Sequence, residues 1–554
     1  MKRLIAVLLL AFPAAAQMNP DQRAFEFQAL VASLNKNYAP YEWKRELFGF
    51  DMLNIKPWLE RIRNAKDDLD YFDITAEYMS SLGDTHTSYR IPSNYFASTG
   101  LHVDIYEGKA IIDNIVRTTL PAAQYPFAIG DELLAVDGKS AAELIEFYKK
   151  YSYAGNDSAA SRAAALRLVS RGQSAIPRAH EIGDTVKLLI RRQSGAEEEF
   201  TVPWIKTGQP LLKSGPVPSP VKTDRRPARS IEEEAAPEYM QPLLRLQQEF
   251  VDTDEAQDVL NYGSLVQVWA WPAVSGYSVR PSAYFRVGTF LADGLRVGYI
   301  RFPNFSPAST AGALAELDTH IQFFNANTDG LVIDVMRNNG GSACYNEEVQ
   351  RRFIPYMFRG LGRELRATRT WLNQFSFAYE SAKAANADTW VIQLYTKLLD
   401  EMKVAFAENR ARTGPVPICG PALERTPADI SFSKPLMVMT DVFSTSAGDG
   451  FPAVLQDANR GPIFGMRTNG AGGTVFDFAT GIYSEATSRS TAGMHHRRNP
   501  ITATGYPTSS YVENVGVHPD IAYDIMTLDN LRTGGRPFVD AFSKAIADHI
   551  RSVR

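Results

Sequence analysis

Apolar positions change their period several times along the chain, and each change marks a different kind of element. From residue 20 to about 95 they recur at helical spacing, as at Phe25, Phe27, Leu30, Val31 and Leu34, and Tyr71–Leu82 reads as a last helix stopped by Gly83. From about Gly100 to Trp204 the texture becomes β-rich, with strand-like runs at 101–105, 109–112, 186–190 and 200–202. From about 261 to 554 strand-like and helix-like runs alternate, the pattern of an α/β domain. There Leu295–Phe302 and Leu331–Met336 predict buried strands and Ala311–Phe324 a helix between them. The short apolar run Leu436–Met439 predicts a further buried strand. It enters a Ser/Thr/Gly-rich turn, after which Phe451, Val454 and Leu455 resume helical spacing. Pro452 is expected in the first turn of that helix, which places the tip of the turn near Ser446 and Ala447.

Chemistry enters at that tip. A serine at a strand-to-helix turn exposes its hydroxyl and leaves the next backbone N–H free, which suits a nucleophile with a ready oxyanion donor. Plain N-capping by Ser444, Thr445 or Ser446 accounts for the same residues, and the turn is not the G-x-S-x-G elbow. The loop Asp84-Thr85-His86-Thr87 carries a histidine that, taken alone, reads as a solvated or capping residue. Arg337–Ser342 follows a buried strand and holds glycines that allow close backbone approach. Asn469–Gly473 reads as a flexible loop, and His495-His496 beside Arg497-Arg498 as a solvated one. Five prolines between Pro210 and Pro227, followed by Glu232–Glu234, make residues 207–260 a linker or surface excursion.

Composition narrows the field. At 554 residues, with 45% hydrophobic and 22% charged positions, the chain has the make-up of a multidomain globular protein. A net charge of -4 gives no reason to expect a nucleic-acid partner. Residues 1–16 differ: Lys2 and Arg3 precede an apolar run from Leu4 to Phe12, and Ala14–Ala16 supply a small-residue cleavage site. The expectation is an exported protein, periplasmic or secreted, cleaved near Ala16 and without a membrane anchor. Cys344 and Cys419 then either pair or stay as two thiols, and the sequence leaves both open. No H-E-x-x-H is present, which weighs against a zinc hydrolase, and no metal or organic cofactor is implied.

Two resemblances organise these pieces. Ile129-Gly-Asp-Glu-Leu-Leu-Ala-Val-Asp-Gly138 is similar to the central strand and turn of a PDZ domain, a peptide-end binder, with Gly100-Leu101 at its carboxylate-holding loop. Asp84–Thr87, Asp334–Gly341, Thr445–Asp449 and Glu513–Asp520 together resemble the C-terminal-processing (tail-specific) protease family, in particular its tricorn-core branch. That resemblance implies a crossed β/α catalytic domain of ClpP/crotonase-like type at 261–554. It further implies a PDZ-like domain at 98–206 and a helical N-terminal region at 17–97. It carries Ser446 over as nucleophile, Ala447 with Gly340 or Gly341 as the oxyanion hole, and His86 backed by Thr85 and Glu513 as the base system. The lysine base of the processing branch has no counterpart: its position falls near Ala471, and the only lysine after Lys434 is Lys544. Asp334 is expected to be structural. The implied partners are protein or peptide substrates, with the oligomeric state open. A histidine of ordinary pKa predicts an acid limb near pH 6 to 7.5. The competing reading is an inactive peptide- or small-ligand-binding protein on the same fold.

Overall fold

The computed structural model describes residues 17–213, 230–250, 259–270 and 276–553. The expected signal segment, 1–16, lies outside the described residues, as does much of the 207–260 excursion. The C-terminal half is built on a seven-stranded sheet whose order is 278–280, 286–292, 295–301, 330–334, 436–440, 463–465 and 521–522. The first strands pair antiparallel, and from 295–301 onward the pairing is parallel. The central strands Gly330–Asp334 and Leu436–Thr440 are buried along their whole length, which is why they read as continuous apolar runs. One face packs against a cluster including Phe302, Phe305, Phe324 and Phe451, the other against Phe464, Phe538 and Phe542.

Register decides where the chemistry can sit. Leu331 pairs with Leu436 and Asp334 with Met439, so the two strands end level and release their following loops side by side. These are the glycine loop 335–341 and the turn 441–446. Pro452 lies inside the helix Ala447–Asp457, deeper than the first-turn position expected for it. The tip of the turn is nevertheless at Ser446.

A second sheet, of five strands, brings the N-terminal part to the same place. Ser88–Arg90 pairs antiparallel with residues 487–489 of the long strand Thr487–Ile501, and that anchors the loop just before it. His495, expected in a solvated loop, is instead fully buried in that strand. Charged residues elsewhere explain the error: Glu249 lies 2.8 Å from His495, and Asp457 binds Arg497 at 2.6 Å.

The helices Pro20–Asn37, Tyr41–Phe48, Lys56–Arg63 and Asp68–Ser80 share a hydrophobic core with the β-rich region. That region forms a sheet ordered 101–106, 109–115, 132–136, 185–191 and 197–203, with Leu101–Tyr106 at its edge. The helix Asp157–Leu166 packs along this edge, and Arg162 grips Asp104 with two bonds of 2.9 and 2.7 Å. The described part of the 207–260 excursion is not all linker. Its strand Gln248–Phe250 pairs with Gly340–Ser342. Cys344 and Cys419 are joined by a disulfide, which ties the helix following the glycine loop to a segment 75 residues on.

Candidate active site

Ser446 sits at φ 64° and ψ −115°, a conformation that costs a non-glycine residue on the order of 1–3 kcal/mol. Asp449 holds it there: its carboxylate accepts the Ser446 N–H at 2.7 Å and those of Gly470 and Ala471 at 2.8 and 3.2 Å. Burial pushes the Asp449 carboxyl up to about 7, against the pull of these donors. The loop Asn469–Gly473, expected to be flexible, is therefore buried and bonded at both ends. Gly472 is required by close approach, since a Cβ there would lie 2.4 Å from the Glu513 nitrogen.

The Ser446 hydroxyl meets the His86 imidazole, with Nε2 2.8 Å from Oγ across 360 residues of sequence. Both residues are fully buried. Asp84 fixes the histidine's backbone, its Oδ1 accepting the His86 N–H at 2.8 Å while Oδ2 accepts the Thr491 hydroxyl at 2.8 Å. Desolvation pushes His86 down to about 4, and the nearby Asp84 carboxylate works in the opposite direction. The neutral imidazole is the form that can accept the serine proton.

The glycine loop lies directly over the serine. A Cβ on Gly340 would stand 2.7 Å from the Ser446 Cβ, so only glycine fits there. Asn338 organises the loop: its carbonyl accepts the Thr445 N–H at 2.8 Å and its Oδ1 the Gly340 N–H at 2.9 Å. The Gly340 N–H is thus engaged within the loop in this state. Gly341 pairs with Glu249 of the strand Gln248–Phe250. Ala447 begins the helix after Ser446, where first-turn N–H groups have no helical partner. Asp334 is bonded away from the serine, to Tyr299 at 2.6 Å and Arg301 at 3.1 Å.

Thr85 and Glu513 are near but do not form the relay expected of them. The Thr85 hydroxyl donates to Asn469 Oδ1 at 2.6 Å and accepts the Gly155 N–H at 2.8 Å. Glu513 accepts from Lys44 Nζ at 2.6 Å and from the Gly472 N–H at 3.0 Å. The physical reason is competition: Asn469 and Gly155 engage the Thr85 hydroxyl, and Lys44 and Gly472 the Glu513 carboxylate. Sequence reasoning gave no role to Lys44, Asp449, Asn469 and Asn338, although Asp449 lies in the Thr445–Asp449 motif and Asn338 in Asp334–Gly341. Their one signal is that buried polar residues must find partners. In the β-rich region the Gly100 and Leu101 N–H groups donate to the hydroxyls of Ser98 and Thr99 at 3.1 and 3.3 Å.

Comparison with known proteins bears on the whole chain. Residues 296–523 match the model of peptidase family S41 and residues 96–211 that of the PDZ domain. A Chlamydia muridarum (strain MoPn / Nigg) protein described as uncharacterized is 23% identical, over 94% of this chain and 91% of its own. A Chlamydia trachomatis serovar D protein is 24% identical, over 94% and 91% respectively. The crystal structure of mature CPAF superposes with a TM-score of 0.76 at 21% identity, covering 96% of this chain and 98% of that one. Mature CPAF complexed with lactacystin gives 0.74 at the same identity, covering 96% and 99%.

Proposed function

We propose that this chain, a serine-type peptidase of the tail-specific S41 family with a PDZ domain, hydrolyses peptide bonds with Ser446 as nucleophile and His86 as general base. The single observation that carries the assignment is the 2.8 Å contact between His86 Nε2 and Ser446 Oγ. Nε2 accepts the hydroxyl proton as Oγ attacks the scissile carbonyl, and returns it to the leaving amine as the acyl-enzyme forms. Water then attacks the acyl-enzyme by the reverse proton path. The Ala447 N–H and a donor from Gly340 or Gly341 would take the oxyanion, with the glycine loop exchanging its internal bonds for the substrate's charge. Such donors contribute about 3–4 kcal/mol each. Thr85 and Glu513 act as positioning residues, Thr85 through Asn469 and Glu513 through Lys44.

The PDZ domain would present substrate ends to this site, with the carboxylate held near Gly100 and Leu101. The basic and apolar pattern of residues 1–16 supports export before activity. Among the described residues no helix is long and apolar enough to cross a membrane. In the test, Ser446→Ala abolishes hydrolysis of peptides while folding is retained, in protein whose intact mass places its N-terminus near Gln17. Undiminished turnover by Ser446→Ala overturns the assignment, and a mass that includes residues 1–16 overturns export alone.

A further inference from the structure

Lys44 belongs to neither the serine–histidine pair nor the family resemblance, yet its side chain is 1% exposed in the helix Tyr41–Phe48. Its Nζ donates to Gly83 O at 2.7 Å, to Glu513 Oε1 at 2.6 Å and to Asn514 Oδ1 at 2.6 Å. An ammonium carries three protons, so its donor capacity is filled. The acceptors come from two segments far apart in sequence, and each leads on to one half of the reacting pair.

On the histidine side, Gly83 immediately precedes Asp84, whose carboxylate holds the His86 N–H. Asn514 doubles this link, its Nδ2 donating to Gly83 O at 2.8 Å and to Gly155 O at 3.0 Å. On the serine side, the other oxygen of Glu513 accepts the Gly472 N–H at 3.0 Å. The adjoining Gly470 and Ala471 N–H groups bind Asp449, which in turn holds the Ser446 N–H. A single buried ammonium is thus the node at which the two bonded chains meet.

We infer that Lys44 is a positioning residue for hydrolysis, setting the distance between His86 and Ser446 by clamping the Gly83 loop to the Glu513–Asn514 turn. The inference rests on the Ser446–His86 reading. Stability alone is a poor reason to bury this lysine, because replacing a buried ion pair by apolar groups is often neutral or better. The pair also has an electrostatic duty. The groups that face Glu513 are Lys44, Asp84 and Tyr38. Burial and Asp84 push the Glu513 carboxyl above the usual range, and Lys44 pulls it back. Removing Lys44 therefore raises it further, so that less of it is ionised at neutral pH.

The experiment compares Lys44→Met, Glu513→Gln and Lys44→Met/Glu513→Gln, with kcat expressed per serine titrated by an active-site reagent. Lys44→Met is expected to lose about 10- to 100-fold in per-site kcat with KM little changed, since the misplacement is of the reacting groups. Its acid limb should move to higher pH as Glu513 titrates. In the double variant that limb should vanish and kcat should recover to within about threefold of Glu513→Gln, because the two changes remove one shared interaction. A wild-type per-site kcat and limb in Lys44→Met overturns the inference, as does a loss that adds independently to that of Glu513→Gln. If Lys44→Met alone does not fold, the double variant decides on the same criterion. Failure of the underlying reading is separate: it would show as turnover by Ser446→Ala, whatever Lys44 does.

Discussion

Ser446 combines a positive φ with full burial, and its strain is held by a carboxylate three residues on. That arrangement aims Oγ at His86 rather than into the helix it precedes. Burial of the base has a consequence for pH. The ordinary histidine value sets the sequence expectation of an acid limb near 6 to 7.5, whereas desolvation pushes His86 down to about 4. A lowered pKa keeps the imidazole neutral, and so able to accept a proton, at lower pH. Hence kcat/KM, which reports the free enzyme, is expected to hold its plateau down to about pH 5 in Glu513→Gln, the near-neutral limb of the wild type belonging to Glu513. A limb near 6.5 that persists in Glu513→Gln would show that the base is solvated before substrate binds. At this scale the serine and histidine were singled out by the family resemblance, since Ser446 alone reads equally as an N-cap and His86 alone as a solvated or capping residue. The residues that position them were not. Lys44, Asn469 and Asp449 are ordinary polar residues until the fold buries them against particular partners.

Elements show the same division. The runs 330–334 and 436–440 were readable because strands buried on both faces are predominantly apolar. The level register of the two, which sets the glycine loop beside the Ser446 turn, depends on pairing that periodicity does not encode. The strand Gln248–Phe250 was hidden in a segment rich in proline and glutamate, and His495 in a run of basic residues whose acidic partners lie far away in sequence. The edge strand Leu101–Tyr106 is where a substrate end would add, yet the helix Asp157–Leu166 packs along it and the Gly100 and Leu101 N–H groups are held by neighbouring hydroxyls. A peptide carboxylate must displace those hydroxyls, and as a charged acceptor it is the stronger partner, worth about 1.5–3 kcal/mol. Peptides with a free C-terminus are therefore expected to show KM values about 10- to 100-fold below those of the same peptides amidated, with kcat unchanged. Equal KM values for acid and amide would remove substrate-end recognition from the account.

Across the whole molecule, the site exists only because its parts meet. The histidine comes from the N-terminal region and the serine from the sheet 360 residues later. Gly155, from the β-rich region, bonds Thr85 and Asn514 between them. Excising the PDZ domain would therefore disturb the reacting pair as well as any peptide groove, which is why the acid–amide comparison uses the intact chain. Mixed helix and sheet content and a helical N-terminal region were legible from changes of period along the chain, whereas the PDZ and peptidase parts were legible only through the motifs that resemble those families. The approach of His86 to Ser446 was legible only through the family resemblance, since nothing local in either segment names the other. The most direct measurement is peptide mapping by mass spectrometry after a fluorophosphonate has inactivated a preparation that was hydrolysing peptide. One covalent adduct per chain is expected, on Ser446, forming at a rate that falls by several orders of magnitude in His86→Ala. An adduct on another residue, or one on Ser446 that forms as fast without His86, would contradict the roles assigned to Ser446 and His86.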